Sequence, residues 1–505
     1  TGKDEPSGRD EVDPPTNSRG RAVWRHRQLL PDDWDMIVEA AWVSDPTFVE
    51  EFFRSEAYNA KPFETLVYFK KFWDDAAFTV LMKRDLTKFL PQLSRLEGNG
   101  NIPQLPGYSV DKLPEIAYYR PGTPVFGNQL TWYSENRASV MRFRLPRHSL
   151  RQLGFNTAES IALFGLTPTM QLDKALEAAG LDEDLQLRGD TRQELQWPLK
   201  VGPVDVVPYI VGRLTAYNDT ADDFSSDSDN SRLWGAAGLK FHTALSKTIY
   251  DVDSRFWDLH RLRHVIEPSA HFMFAETNLK QEDLPVYDYD VESLAEGGIV
   301  KFGLRNTFQT QRGGPGRWRS VDWLRIDTDI ILNTDDTHRE SPLARFFDQR
   351  PEWSIAGDHF FGEVAWQLSD SLAMVGNALY NFETSTTEQW NYGVQLDHTP
   401  RLRSSLQVRH IEAFNSTVMR YAIEYLLTPK YHITLSQSFD FGHNQSNDVS
   451  IVLTRRMPRW LLMVSANYDT LGDISSVGLS IAPEGVGGGI ARPDRNPFLL
   501  PEMGP

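Results

Sequence analysis

Residues 419–439 read MRYAIEYLLTPKYHITLSQSF. Apolar and polar residues alternate on both sides of a central turn, and a period of two is typical of a β-strand with one apolar and one polar face. The apolar positions are Met419, Tyr421, Ile423, Tyr425 and Leu427, followed by Tyr431, Ile433, Leu435 and Phe439. The polar positions of opposite parity in the second run are His432, Thr434, Ser436 and Ser438. The stretch predicts two consecutive amphipathic strands.

The same alternation extends from Tyr392 to Ile481 and also occurs earlier in the chain. One earlier run has an apolar face of Leu324, Ile326, Ile330 and Leu332 and a charged face of Arg325, Asp327 and Asp329. Another places Val204, Val206, Ile210, Leu214 and Ala216 opposite Asp205, Tyr209 and Arg213. Serial hairpins of this kind suit a closed sheet with lipid outside and water inside. The sequence predicts an all-β fold, a large antiparallel transmembrane β-barrel of roughly 18–21 strands.

Composition narrows the class of protein. The chain has 505 residues and a mean hydropathy of -0.44, and no run approaches the roughly 20 apolar residues of a membrane helix. A formal net charge of -17 argues against nucleic-acid binding, which needs a basic surface. The chain has no cysteine, so disulfides and thiolate chemistry are excluded.

The chain divides into three predicted parts. Residues 1–18 are charged and rich in Pro, Gly, Asp and Ser, which predicts a disordered linker. Residues 19–482 form the predicted outer-membrane barrel domain, and the Gly- and Pro-rich residues 483–505 form a predicted disordered tail. Within the barrel domain, apolar residues at helical spacing predict one short amphipathic helix in Thr169–Leu187.

No motif for covalent chemistry stands out. The sequence has no P-loop, no nucleophile elbow and no H-E-x-x-H zinc motif. His260 and His264 are four residues apart, but their surroundings predict strand and loop instead of a metal-binding helix. The sequence therefore predicts a protein that is not an enzyme and has no catalytic residue, cofactor or metal site.

Three sequence blocks carry a family resemblance. The first contains Arg19, Gly20, Trp24, His26, Ser44, Asp45 and Pro46. The second, weaker block is Leu113-Pro114-Glu115. The third includes Glu267, Pro268, Pro285 and Asp288. In order and spacing these blocks resemble the carboxy-terminal barrel of the LptD family, the lipopolysaccharide-assembly proteins of the Gram-negative cell outer membrane.

The resemblance implies a translocon component that inserts lipopolysaccharide into the outer leaflet. It implies several partners: lipopolysaccharide itself, outer-membrane lipid, a plug lipoprotein in the lumen and a periplasmic lipopolysaccharide-transport bridge. The family's amino-terminal jelly roll and earlier strands do not occur in this sequence, so we expect an incomplete barrel completed by upstream strands. Candidate luminal contacts for glycan or plug are Arg213, Arg325, Asp327, Asp329, Arg403 and Arg409.

Two other functions fit the same pattern. One is a passive, porin-like outer-membrane channel for small solutes. The other is a soluble β-sandwich or β-solenoid that binds carbohydrate. The candidate luminal charges can also be solvated wall residues without a specific partner.

Overall fold

The computed structural model describes residues 3–4, 10–16, 18–53, 63–90, 107–226, 229–334, 345–355, 357–412, 416–441, 445–470 and 474–483. The described residues form 23 strands, which belong to a single sheet. Every strand pairing with a defined register is antiparallel, and most strands pair with their neighbour in sequence. The predicted all-β fold made of one large antiparallel sheet is confirmed.

The strands are β1 Arg21–Leu29, β2 Trp34–Val43, β3 Leu66–Phe72, β4 Ala77–Lys83, β5 Ser109–Val125, β6 Leu130–Arg144, β7 Gln186–Gln196, β8 Leu199–Val201, β9 Val204–Tyr217, β10 Ser231–His242, β11 Leu245–Ser254, β12 Leu259–Thr277, β13 Gly297–Arg312, β14 Arg319–Asn333, β15 His359–Gln367, β16 Leu372–Asn381, β17 Thr386–Thr399, β18 Leu402–Ile411, β19 Ser416–Thr428, β20 Tyr431–Asp440, β21 Gln445–Met457, β22 Trp460–Asp469 and β23 Ile474–Pro483. The α-helices are α1 Phe48–Phe52, α2 Thr157–Phe164, α3 Leu172–Ala178 and α4 Tyr289–Glu292, and the 3₁₀ helices are Pro31–Asp33, Leu150–Leu153, Gln281–Asp283 and Pro351–Trp353. In the described part of the chain, no helix is long and apolar enough to cross a membrane.

Two places depart from simple sequential pairing. Strand β7 pairs with β9, while the short β8 forms its own hairpin with β9. Strands β10 and β11 both pair with β12, which is long enough to serve both. The register between β11 and β12 shifts between Ile249 and Asp253, where one strand carries extra residues, as in a β-bulge.

The chain splits into two compact units. Unit 1 contains residues 1–198, 207–239 and 273–297, and unit 2 contains residues 199–206, 240–272 and 298–505. Unit 1 holds the four α-helices found among the described residues and an apolar core in which α3 buries Leu172 and Leu176 beside Phe143 of β6. Helix α2 begins at an Asn156–Glu159 capping box and ends at Gly165, whose left-handed φ of 67° suits glycine. Unit 2 consists mostly of hairpins.

Several sequence predictions differ from the structure in detail. The described residues form 23 strands instead of the roughly 18–21 expected, because short strands such as β8 lack a readable alternation. The helix predicted in Thr169–Leu187 is present at Leu172–Ala178. Within the predicted linker, Asp4 is buried, pairs with Val12 and contacts Arg19. Residues 484–505 of the predicted tail lie outside the described residues, and Pro483 ends β23.

Candidate functional site

One face of the unit 2 sheet is apolar and exposed. Residues opposite each other in register share a face, so cross-strand rows can be read directly from the pairing. One apolar row contains Leu324, Trp366, Met374, Val394, Leu406 and Tyr421. A second contains Tyr425, Ile433, Leu453, Val464 and Leu479. Leu479 is 71% exposed and Tyr392, on the same face, is 58% exposed, which is unusual for large apolar side chains facing water.

The opposite face of unit 2 is polar. A single cross-strand row contains Gln395, Ser405, Ala422, Ser436, Ser450, Asn467 and Ser476. Neighbours on this face join by side-chain hydrogen bonds, for example Gln407 Nε2 to Asn391 Oδ1 at 3.0 Å and Ser450 Oγ to Asn467 Oδ1 at 2.6 Å. Hydroxyl and amide groups therefore form a continuous surface of hydrogen-bond donors and acceptors.

Three of the predicted luminal residues lie on this polar face in β14. The Arg325 guanidinium donates to Glu363 of β15 at 2.7 Å and lies 3.3 Å from Asp327. Asp327 also accepts from Arg305 at 3.0 Å, and Asp329 lies 3.2 Å from the Lys301 ammonium. The side-chain alternation predicted from the sequence is thus present in β14, because Ile330 and Leu332 lie on the exposed apolar face.

The other unit 2 candidates lie on β18. Arg403 pairs with Asp397 of β17 at 2.6 Å, and Glu424 stands opposite it in register on β19. Arg409 is exposed and lies opposite Asn391 and Val418 on the same polar face. These two arginines therefore share the polar face with Gln407.

Arg213 lies in unit 1, on the buried face of β9. Its guanidinium donates twice to the Asp190 carboxylate of β7, both bonds measuring 2.9 Å, and once to the Asp290 carbonyl at 2.7 Å. Thr215 donates to the same carboxylate at 2.8 Å. Ile210 and Leu214, of opposite parity, are exposed, so the alternation predicted for this strand is present.

Arg188 of β7 is the centre of a buried ionic cluster in unit 1. Its side chain is completely buried and contacts Glu292 at 2.7 Å, Asp288 at 2.6 Å and Glu115 at 3.3 Å. Lys112 of β5 joins the same cluster, lying 2.7 Å from Asp288 and 2.9 Å from Glu115. Such charges can be buried only because each is paired and hydrogen-bonded.

Residues Leu284–Ala295, here called the covering segment, bring these carboxylates to the strands. Tyr217 of β9 donates to Glu292 at 2.9 Å, and Arg232 of β10 donates to the Glu292 carbonyl at 2.7 Å and to the Val291 carbonyl. Trp234 Nε1 donates to the Ala295 carbonyl at 3.0 Å. The segment therefore packs onto the polar face of β5, β7, β9 and β10 through both side chains and backbone.

The electrostatics of the covering segment follow from this geometry. Burial alone raises the pKa of the Asp288 carboxyl, but the nearby Arg188 and Lys112 cations outweigh burial and leave the pKa below its usual 3.8. Burial raises the pKa of Tyr287, which stacks on Phe143 at a centroid distance of 4.0 Å. Asp288 is therefore a carboxylate anion at neutral pH, and Tyr287 remains a neutral phenol.

The first family-motif block forms a second ionic cluster in unit 1. Arg19 donates to Asp45 at 2.7 and 2.9 Å and also contacts Asp4. Burial raises the pKa of Asp45, yet hydrogen bonds from Arg19 and Ser44 lower it overall. The Gly20 amide donates to Ser44 Oγ at 3.1 Å, which fixes the entry to β1 beside the Ser44-Asp45-Pro46 turn.

The remaining motif residues have separate positions. Trp24 stacks on His26 with ring centroids 5.8 Å apart on exposed β1. Glu267 lies 3.8 Å from His242, and the Pro268 carbonyl accepts from Thr243 at 3.2 Å. Pro285 precedes Val286, whose carbonyl accepts from the Tyr108 hydroxyl. The motif residues Asp288 and Glu115 converge on Arg188, as described above.

The residues that anchor the covering segment were not predicted from the sequence. The unpredicted anchors are Lys112, Arg188, Arg232 and Glu292. Strand β7 does show a charged residue at every second position, namely Arg188, Asp190, Arg192 and Glu194. A charged residue at every second position signals a strand face that must find partners, and that signal was available in the sequence. The sequence did not show which distant loop provides these partners.

Comparisons with known proteins give no family. No protein-family model matches the sequence, and no curated protein matches it. The solved structures to which the chain is similar include the FpvAI–pyocin S2 complex, with 9% identity, 93% of this chain and 66% of that chain covered, and a TM-score of 0.29. Another is the FrpB iron transporter from Neisseria meningitidis, with 9% identity, coverages of 86% and 72%, and a TM-score of 0.31. The KdgM porin shows 11% identity, coverages of 48% and 88%, and a TM-score of 0.15. These TM-scores are too low to support an argument about this chain.

Proposed function

We propose that this chain is an outer-membrane β-barrel protein of a Gram-negative-type bacterium that forms a channel for polar solutes. The observation that carries the proposal is the two-faced sheet of unit 2, with exposed apolar rows on one face and hydroxyl, amide and charged rows on the other. Lipid solvates the first face at no cost, and water solvates the second.

The dimensions of the apolar face support a membrane setting. From Leu324 to Leu332 the alternation extends over nine residues, within the about 9–11 residues that a tilted transmembrane β-strand needs. Outer-membrane barrels present an apolar band about 25 Å tall, bordered by aromatic residues. Tyr425 and Trp460 lie near the end of the unit 2 strands that carries the two-residue turns, and Tyr392 and Tyr468 lie closer to the other end.

Membrane association and conduction test the proposal. We expect the full chain to require detergent for extraction and to migrate faster on SDS gels before heating than after. We also expect discrete conductance steps in a planar lipid bilayer. A protein that stays in the soluble fraction at high salt, or that never forms a pore, contradicts the proposal.

A second candidate is lipopolysaccharide insertion into the outer leaflet. Residues from the blocks that resemble the LptD family lie together in two places: Arg19 pairs with Asp45, and Glu115 and Asp288 both contact Arg188. The uncharged polar row of unit 2 also suits a sugar chain, which offers many hydroxyl groups. The partners would then be lipopolysaccharide, outer-membrane lipid, a plug lipoprotein and a periplasmic transport bridge.

Site-specific photocrosslinking in cells separates the two candidates. A photoreactive residue at Ser436 reports on the polar face, and one at Ile451 reports on the apolar face. Lipopolysaccharide insertion predicts lipopolysaccharide adducts at Ser436, whereas a channel for small solutes predicts none there. Adducts only at Ile451 indicate surrounding membrane lipid and contradict the second candidate.

A further inference from the structure

Three alternate hairpin turns of unit 2 share one sequence pattern. Strands β17 and β18 are joined by Pro400-Arg401, β19 and β20 by Pro429-Lys430, and β21 and β22 by Pro458-Arg459. Proline suits the first central position of a tight turn because its φ is already fixed there. Nothing in turn geometry requires a cation at the second position, yet all three turns carry one.

The three turns lie side by side at one end of the strands, because alternate turns of an antiparallel meander lie at the same end. The Arg401 carbonyl accepts from the Leu426 amide of β19 at 2.8 Å, and the Lys430 carbonyl accepts from the Arg456 amide of β21 at 2.7 Å. The first two turns are therefore each hydrogen-bonded to the next hairpin. Adjacent turns are two strands apart, or roughly 10 Å at the usual strand spacing.

Two further cations lie at the same end of the strands. Arg455 and Arg456 precede the third turn, and the chain from Arg455 to Trp460 reads RRMPRW without an acidic residue. All five cations, which we call the basic rim, are exposed: Arg401, Lys430, Arg455, Arg456 and Arg459. Two carboxylates on the same strands, Asp397 and Glu424, lie on the polar face beside Arg403 and His432.

Arg455 links the basic rim to the apolar face. It stands opposite Tyr431 and Leu462 in register, and its guanidinium lies 5.6 Å from the Tyr431 ring centroid. A long cationic side chain that rests on an aromatic ring at the end of an apolar face is the arrangement that holds a charge at a membrane interface. The cation is then level with lipid headgroups instead of acyl chains.

We propose that the basic rim binds the phosphate groups of anionic phospholipids at the membrane interface. This inference rests on the proposed membrane location, and it adds a lipid class and an orientation. Short turns of outer-membrane barrels face the periplasm, so the lipid belongs to the inner leaflet. Each cation near an anionic surface strengthens association about fivefold at moderate ionic strength.

The proposal is tested by comparing the affinity of the protein for phosphatidylglycerol with its affinity for phosphatidylcholine. The full chain is folded into phosphatidylcholine vesicles that contain either spin-labelled phosphatidylglycerol or spin-labelled phosphatidylcholine, and the fraction of motionally restricted label is compared. We expect the parent chain to prefer phosphatidylglycerol several-fold at low salt and less at high salt. The double variant Lys430→Gln and Arg455→Gln should lose most of that preference.

A matched control removes the same charge elsewhere in unit 2. Arg409→Gln with Arg420→Gln lies on the polar face, so it should leave the lipid preference unchanged. An equal loss of phosphatidylglycerol preference in this control overturns the proposal. A parent chain that does not prefer phosphatidylglycerol over phosphatidylcholine also overturns it, and would favour an acidic protein as the partner of the basic rim. Failure of the parent to insert into vesicles contradicts the membrane location instead, and heat-modified gel mobility identifies that case.

Discussion

The polar faces of the two units solve the same electrostatic problem differently. In unit 1, Arg188 and Arg213 are buried, and the covering segment supplies the carboxylates that neutralise the cluster. In unit 2, Arg325 and Arg409 remain partly or largely exposed, and the row beside them is mainly serine and asparagine. A face that is covered must pair every charge, whereas a face that meets water can leave charges solvated. The difference shows that the charges of unit 1 depend on partners from the covering segment, whereas these arginines on the polar face of unit 2 can be solvated by water.

The largest expected difference between the faces comes from removing the central cation of unit 1. Arg188→Met leaves Glu115, Asp288 and Glu292 buried around an apolar side chain, and breaking a buried pair costs about 3–5 kcal/mol. The matched change Arg409→Met should alter the free energy of unfolding by about 0.5 kcal/mol or less. Urea unfolding in lipid vesicles measures both, and equal losses would break the comparison.

The next effect concerns the two faces of a single strand. Ile330→Arg places a charge on the apolar face of β14 and should cost about 2–4 kcal/mol if that position is near the membrane midplane. Asp329→Asn on the polar face leaves Lys301 paired with Asp348 at 2.7 Å, so we expect folding to proceed normally. The yield of heat-modifiable protein reports on assembly. Equal tolerance at both positions is incompatible with the assigned faces.

A conservative substitution sharpens the contrast between buried and exposed arginines. Lysine cannot reproduce the two-bond contact of Arg213 with Asp190, so Arg213→Lys should lose about 1.5–3 kcal/mol. Arg403→Lys keeps a solvated ion pair with Asp397, and the expected loss is about 0–1 kcal/mol. The same unfolding assay compares them. A larger loss at Arg403 than at Arg213 would reverse the assignment of the covered face.

Lowering the pH should destabilise unit 1, because the covering segment is held by the Asp288 carboxylate. The pKa of Asp288 is lowered in the folded state, so its ion pairs stabilise the fold fully above its usual value of 3.8 and are lost as pH falls through the lowered value. Unfolding midpoints measured between pH 6 and pH 2 should fall at the acid end, and Asp288→Asn should flatten that fall. An unchanged slope in this variant would show that other carboxylates account for it.

The sequence alone determined the strand faces and the fold class. Alternation around Tyr421 and Ile330 depends only on the period of a strand, which any local stretch displays. Helical spacing likewise located the helix at Leu172–Ala178 within a predicted range. The repeated Pro-basic turns at Arg401, Lys430 and Arg459 are equally legible in the sequence, because turn chemistry is local.

Only the tertiary structure decided which distant residues neutralise each charge. Arg188 and Glu292 are 104 residues apart, and no local pattern links a strand to the one loop that folds across it. The same holds for Asp4, whose segment is polar enough to predict disorder but which is buried against Arg19 and Thr47. Local periodicity fixes which face a side chain occupies. Its partner depends on how the strands and loops pack, and that follows from contacts between parts of the chain far apart in sequence.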